Sequence, residues 1–233
     1  MKFAHITDAQ LGYRQYGLDT RAEDFKQAFI NAVDVALIAH VDAVIFGGDM
    51  FEFQKPPGDV VELLQEQVAR LHDADIAVAG IEGNHDMSNG HWLAVCHIHD
   101  LEQAGPLAVG GVVFGGIGYR RETQFMADLD NYLLQNASNI NVLVLHQGIS
   151  ETVPFSECSA EAVIQRVTQE HKNPLQYLAM GHIHKSYSID VAGIPVVCPG
   201  SLEMTDIDEP REKFISIVEV SDAKAEATMY PVR

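Results

Sequence analysis

Five polar clusters punctuate an otherwise apolar chain of 233 residues: Asp8-Ala9-Gln10, Gly48-Asp49, Gly83-Asn84-His85-Asp86, His146 and Gly181-His182-Ile183-His184. Carboxylates, a carboxamide and imidazoles are donors for divalent metals. A mixed Asp/Asn/His set suits Mn, Fe or Zn better than Ca or Mg. His182 and His184 place two imidazoles on one short stretch of backbone, a common way to hold such an ion. The donors suffice for two ions sharing one carboxylate, an arrangement that clamps both oxygens of an in-line displacement at phosphorus. Gly47, Gly48, Gly83 and Gly181 stand beside these residues, where backbone must turn sharply or approach a phosphate.

Donors so far apart in sequence need a scaffold that gathers them. Phe3–Thr7 reads as a first strand, followed by a helix over 21–40 whose Phe25, Ala28, Phe29, Ala32, Val33, Ala36 and Leu37 fall on one face. A strand over 43–46, a helix over 60–73 and a strand over 76–81 follow. This alternation predicts parallel strands joined by right-handed crossovers, with ligand groups collecting at the strands' carboxyl ends. Asp8, Asp49 and Asn84-His85 each occupy such an end. The second half is read as short strands at 107–109, 112–114, 142–146, 177–180, 188–191, 196–198 and 214–220. Helices are expected near 124–135 and 161–170. His146 and the 181–184 cluster again follow strands. No repeat, linker or low-complexity tract divides the chain, so a single α/β domain over 1–233 is expected.

In this order, the five clusters resemble the signature of the calcineurin-like metallophosphoesterases: D-x-H, G-D, G-N-H-D/E, a lone H and G-H-x-H. Five further stretches narrow the resemblance: His5-Ile6-Thr7-Asp8, Leu11-Gly12-Tyr13, Gly47-Gly48-Asp49-Met50-Phe51, Ile81 to Asp86 and Pro199-Gly200-Ser201-Leu202-Glu203. They are similar to the phosphodiesterase domain of the DNA double-strand-break repair nucleases, the meiotic-recombination-eleven and SbcD branch. That resemblance implies a four-layer fold of two packed mixed β-sheets flanked by helices. It further implies two divalent ions, most plausibly Mn2+ with Fe, Zn or Mg as alternatives. Asp8, Gln10, Asp49 and His184 would surround the first ion; Asp49, Asn84, His146 and His182 would hold the second, with Asp49 bridging. Asp49, Asn84 and His85 are the implied catalytic residues, His85 assisting departure of the leaving oxygen after in-line attack by a hydroxide held by both ions. The branch's capping domain and ATPase-binding helices are not expected in this chain. DNA ends or single strands are the implied substrate, an ABC-type ATPase is an implied partner, and a homodimer is compatible. Two positions depart from the pattern: Gln10 stands where the family has His, and Glu52 where relatives carry His or Asp.

Composition limits the alternatives. Fifteen Lys+Arg against 33 Asp+Glu give a formal charge of −18, the reverse of the balance a free-standing DNA-binding domain shows. Bound cations can invert the local field, so the acidity is compatible with a phosphate substrate. It favours, as alternatives, a phosphoesterase for nucleotides or other small esters; Gln10 favours a catalytically weakened scaffold. The scattered Cys96, Cys158 and Cys198 exclude a disulfide framework and read as small apolar fillers, consistent with a reducing cytoplasm. No apolar run reaches the roughly 18 residues of a membrane helix, and the polar start is not expected to act as a signal peptide. His91, His97 and His99 are read on a helix where residues two apart do not share a face, so no second metal site is expected. His5, His40, His72 and His171 are assigned to strand or helix-end positions. The acidic stretch 203–212 is expected to be a solvated loop, with a partner-facing surface as the alternative, and Arg14, Arg120, Arg121 and Lys185 to be surface residues within reach of substrate phosphate only if they lie near the site.

Overall fold

The strand over Ala43–Phe46, designated β2, is apolar throughout because both of its faces are covered. Val44 and Phe46 pack on one side, Ala43 and Ile45 on the other, the two-residue period of an extended chain. The computed structural model describes residues 1–87, 91–136, 139–154, 156, 158–170, 175–221 and 224–232. In its first half, β1 (Lys2–Ile6) leads into α1 (Asp19–Ile38), then β2, α2 (Gly58–Asp73), β3 (Ala77–Gly80), the one-turn α3 (Trp92–Val95) and β4 (His99–Asp100). The second half contains β5 (Leu107–Val109), β6 (Val112–Ile117), α4 (Glu122–Gln135), β7 (Val142–His146), α5 (Ala160–Glu170), β8 (Tyr177–Gly181), β9 (Tyr187–Val191), β10 (Ile194–Cys198), β11 (Lys213–Val220) and β12 (Ala225–Val232).

Two six-stranded sheets result, ordered β12-β11-β1-β2-β3-β4 and β5-β6-β7-β8-β10-β9. Strands β1 to β4 run parallel, as do β6, β7, β8 and β10, while β11, β12, β5 and β9 pair antiparallel, so both sheets are mixed. Three apolar cores give four layers. One core joins α1 and α2 to the first sheet, another joins α4 and α5 to the second sheet, and the third lies between the sheets. Phe3 of the first sheet meets Phe114 and Tyr177 of the second edge-on, at ring-centroid distances of 5.1 and 5.5 Å. This is the α/β architecture of two packed mixed sheets flanked by helices that the family resemblance implied.

The expected elements recur with shifted ends, and three differences are substantive. The helix expected through His91–His99 is confined to Trp92–Val95; His97 then takes a left-handed φ of 59°, and His99–Asp100 pairs with β3 as a strand. The sequence reading also omitted β12. It is an edge strand alternating buried or half-buried with exposed positions, and an edge tolerates Pro231, whose missing N–H would interrupt a central ladder. Finally, the acidic stretch 203–212 is not uniformly solvated, because Glu209 is folded inward. His171 lies outside the described residues.

Parallel order aligns the strand ends. Ile6 pairs with Phe46, Phe46 with Gly80, and His146 with Gly181. The loops after β1 and β2 continue in step beyond the ladder: Asp8 N–H donates to the Gly48 carbonyl at 3.0 Å and Gln10 N–H to the Asp49 carbonyl at 3.0 Å. Five loops from two sheets thereby open at one edge of the sandwich.

Candidate metal centre

The loops after β1 and β2 and the end of β7 bring Asp8, Asp49 and His146 together, with one donor atom of each within 4.8 Å of the others. All three side chains are buried. His146 Nδ1 donates to the Gly47 carbonyl at 2.7 Å, which turns Nε2 toward Asp49 Oδ2, 3.2 Å away. Asp49 Oδ1 accepts the backbone N–H of His85 at 2.8 Å. Gln10 Nε2 reaches Asp49 Oδ2 at 3.2 Å. Asp8 Oδ2 accepts from the Thr7 hydroxyl at 2.6 Å and the His182 N–H at 3.1 Å, leaving Oδ1 facing His184 Nε2 at 3.6 Å. On the other side, Asn84 Oδ1 lies 2.9 Å from His182 Nδ1, and the His182 and His146 rings are 5.2 Å apart. The seven expected ligands thus gather at one place: Asp8, Asp49 and His146 form its centre, Gln10 and His146 both meet Asp49 Oδ2, His184 faces Asp8, and Asn84 meets His182.

Three orphaned atoms test whether this pocket fits cations. Asp8 Oδ1, Gln10 Oε1 and His146 Nε2 are buried and have no hydrogen-bond partner among the described residues. Leaving such a group unsatisfied costs about 1–3 kcal/mol, more when it is charged. A carboxylate oxygen, a carboxamide oxygen and an imidazole nitrogen are all Lewis bases, so shared cations remove the penalty at once. The donor set fits divalent metal ions.

The buried carboxylates draw positive charge to the cluster. Burial raises the Asp8 pKa, reinforced by Asp49 and only partly offset by His146. Burial also pushes Asp49 up, but the charge of His146, with the His85 N–H, outweighs it and the net shift is downward. At His146, burial disfavours the charged ring, yet Asp49 and Asp8 hold its pKa up at about 9. Burial and the neighbouring His146 charge lower His182 to about 4, keeping it a neutral donor. Asp86 is raised to about 6 chiefly by burial; it accepts the Met50 and Gly83 N–H groups at 2.6 and 2.5 Å and ties the second and third loops together.

The backbone is bent to serve this arrangement. Asp8, Gln10, Asp49 and His182 hold φ values of 52, 49, 51 and 82°, in the left-handed region that side chains other than glycine seldom adopt. Gly83 is required for space: a Cβ there would overlap the Asp49 carboxylate. Gly181 approaches Gly47 and Thr7 similarly, with a Cβ lying 2.7 Å from His146 Nδ1.

His85 lies at the rim. Its Nδ1 is 3.0 Å from the Glu52 carbonyl and 3.7 Å from the Glu52 carboxylate, so Nε2 is the nitrogen available to solvent or substrate. Three other histidines take other roles: His72 Nε2 contacts the His97 carbonyl, His99 Nε2 the Gly105 carbonyl, and His5 is a buried strand residue. The three cysteines are buried and free, with thiol pKa values pushed up by burial, to about 11 at Cys96 and about 12 at Cys158. Arg14 pairs with Asp19 and Arg120 with Glu102 and Asp128, while Arg121 and Lys185 are exposed. The sequence reading missed Thr205 and Glu209, whose side chains reach His184 Nδ1. Their only sequence signal was a lysine four residues beyond Glu209.

A family model, the calcineurin-like phosphoesterase superfamily domain, matches residues 1–223. The chain belongs to the calcineurin-like phosphoesterase superfamily. As a calcineurin-like phosphoesterase it is a metal-dependent hydrolase, and its fold implies divalent metal ions. It is 30% identical to the DNA double-strand break repair protein Mre11 of Archaeoglobus fulgidus, over 90% of this chain and 52% of that protein. It is also 30% identical to Mre11 of Methanocaldococcus jannaschii, over 79% of this chain and 52% of the relative. The chain spans about half the length of these curated relatives. Among solved structures, TT1561 of Thermus thermophilus covers 100% of the chain, and 99% of TT1561 is matched, at 13% identity and a TM-score of 0.62. A dimetal phosphatase from Danio rerio matches over 99% of both chains at 13% identity and a TM-score of 0.57. At such identities the two structures speak to fold alone. No helix among the described residues is long and apolar enough to cross a membrane.

Proposed function

We propose that this calcineurin-like phosphoesterase is a Mn2+-dependent DNA phosphodiesterase, a nuclease of the double-strand-break repair type, comprising a single metallophosphoesterase domain. The observation that carries the reading is the buried Asp8, Asp49 and His146 cluster, with three buried Lewis-basic atoms lacking partners among the described residues. The similarity to Mre11 proteins supplies the substrate class. Asp8, Gln10, Asp49 and His184 would hold one ion, and Asp49, Asn84, His146 and His182 the other. Bound cations would neutralise phosphate charge and make water acidic enough to supply the nucleophile at neutral pH.

The chain's own groups do the rest. Asp49, which meets both Gln10 and His146, would be shared by the two ions. The Gly47 carbonyl keeps a proton on His146 Nδ1, so Nε2 faces inward. His85 is 38% exposed and anchored through Nδ1, which leaves Nε2 to hold a proton for the departing oxygen. Asn84 stands next to it and would share in holding the scissile phosphate. A partner that supplies basic surface, such as an ABC-type ATPase, fits the acidity of the chain; the free, buried cysteines fit a reducing cytoplasm, and a homodimer would be compatible.

A second reading, a phosphoesterase for nucleotides or small esters, is favoured by the charge of −18 and by the ion pairs that occupy Arg14, Arg21 and Arg120. Turnover with Mn2+ on single-stranded DNA, duplex ends and bis-p-nitrophenyl phosphate in parallel separates the two. The nuclease reading expects cleavage of at least one DNA substrate. Hydrolysis of the small ester with both DNAs untouched supports the second reading.

A further inference from the structure

A second polar network lies directly behind the donor cluster. His184 faces the centre with Nε2, while its Nδ1 lies 2.6 Å from Thr205 Oγ1 and 3.2 Å from Glu209 Oε1. The Thr205 hydroxyl has one proton, and it donates this to Glu209 Oε1 at 2.5 Å. The hydroxyl oxygen and the carboxylate are therefore both acceptors toward the ring, which requires the proton on His184 Nδ1 and leaves the Nε2 lone pair facing Asp8 Oδ1.

The carboxylate is itself firmly held. Glu209 Oε2 accepts from Lys213 Nζ at 2.5 Å, the Ser201 hydroxyl at 3.2 Å and the Thr205 N–H at 3.3 Å. Lys213 is only 6% exposed and also donates to Ser201 Oγ at 2.8 Å, so a buried ammonium is committed to this one acid. Burying such a pair is costly unless its geometry is specified. The loop is fastened from outside as well. Arg21 donates to the Glu203 carboxylate and the Met204 carbonyl, and Gln15 Nε2 to the Thr205 carbonyl at 2.9 Å.

We propose that Glu209 is a positioning residue for the first metal ion, acting through His184 by fixing its tautomer and ring orientation. The inference rests on the two-ion reading above. Its effect falls on one ion because His184 is the sole imidazole in the group containing Asp8 and Gln10, and Glu209 has no described hydrogen bond to Asn84, His146 or His182. With a carboxamide at position 10, that ion depends on its single nitrogen donor more than an ion with two imidazoles would.

Calorimetric titration of Mn2+ into the intact chain tests this without reference to turnover. The unaltered protein is expected to bind two ions, and the step abolished by Asp8→Ala identifies the first. Glu209→Ala should weaken that step by about 10- to 100-fold, the usual effect of removing a ligand's outer partner, and leave the other step unchanged. Glu209→Gln keeps an acceptor oxygen for Nδ1 and should recover part of the loss; it also carries the test if the alanine variant does not fold. Both steps unchanged, or both weakened alike in folded variants, would overturn the role of Glu209 while leaving the two-ion reading intact. An unaltered protein that binds no Mn2+ would overturn both.

Discussion

Gln10 is the residue at which this chain departs furthest from its family's metal signature, and its consequences are specific. A carboxamide oxygen suits a hard ion but is a weaker donor to Mn or Zn than imidazole. Gln10 Oε1 nevertheless is buried beside Asp49 with no partner among the described residues, which places it within the cluster. Gln10→His should therefore tighten the first ion by roughly tenfold, about 1.4 kcal/mol, and raise hydrolysis of bis-p-nitrophenyl phosphate. Unchanged affinity and rate would mean that Gln10 either stands off the ion or already serves as well as imidazole. His85→Ala should do the opposite. Turnover should fall by two orders of magnitude or more, roughly the worth of a general acid, with both Mn2+ binding steps retained. The site was legible in sequence because each donor cluster follows an apolar run and three of the five, at Asp49, Asn84 and His182, carry a glycine beside the donor. Thr205 and Glu209 were not, because their role depends on a loop folding back onto His184, and the acidic stretch 203–212 looked solvated.

At the level of elements, strands buried on both faces were the readable part. Residues 142–146 are apolar up to the terminal His, and their predicted bounds match β7. Edges were the unreadable part. β4 has two residues, too few for any periodicity, and β12, with Glu226, Thr228 and Pro231 among its residues, has no apolar run, so only pairing with β11 makes it a strand. The β1 strand carries a pH dependence of its own. His5 is fully buried against Tyr177, and burial, opposed by a hydrogen bond with Met180, lowers its pKa from 6.5 to about 3. Below pH 6.5 the unfolded chain takes up a proton that the native strand refuses until about pH 3. Stability present above pH 6.5 is thus lost as pH falls, with a slope approaching 1.4 kcal/mol per pH unit for this one group. Urea unfolding at pH 7, 6 and 5 should show that slope reduced by about this amount in His5→Gln. Parallel pH profiles for the two proteins would place the dependence elsewhere.

For the molecule as a whole, charge and site pull in opposite directions. A surface at −18 with Arg14, Arg21 and Arg120 already paired has few cations with which to displace phosphate counterions. The isolated chain should bind duplex DNA only at about micromolar Kd or weaker at physiological salt, as fluorescence anisotropy would report. Nanomolar binding under those conditions would require a basic face that the paired arginines do not provide. Attraction for phosphate must then come from the metal centre, which makes its occupancy the central claim. The most direct measurement is anomalous diffraction at the Mn edge from Mn2+-soaked crystals. The expected map has two peaks about 3.5–4 Å apart on either side of the Asp49 carboxylate, one against Asp8, Gln10 and His184, the other against Asn84, His146 and His182. Mn2+ peaks confined to surface carboxylates, with none at Asp49, would contradict the account.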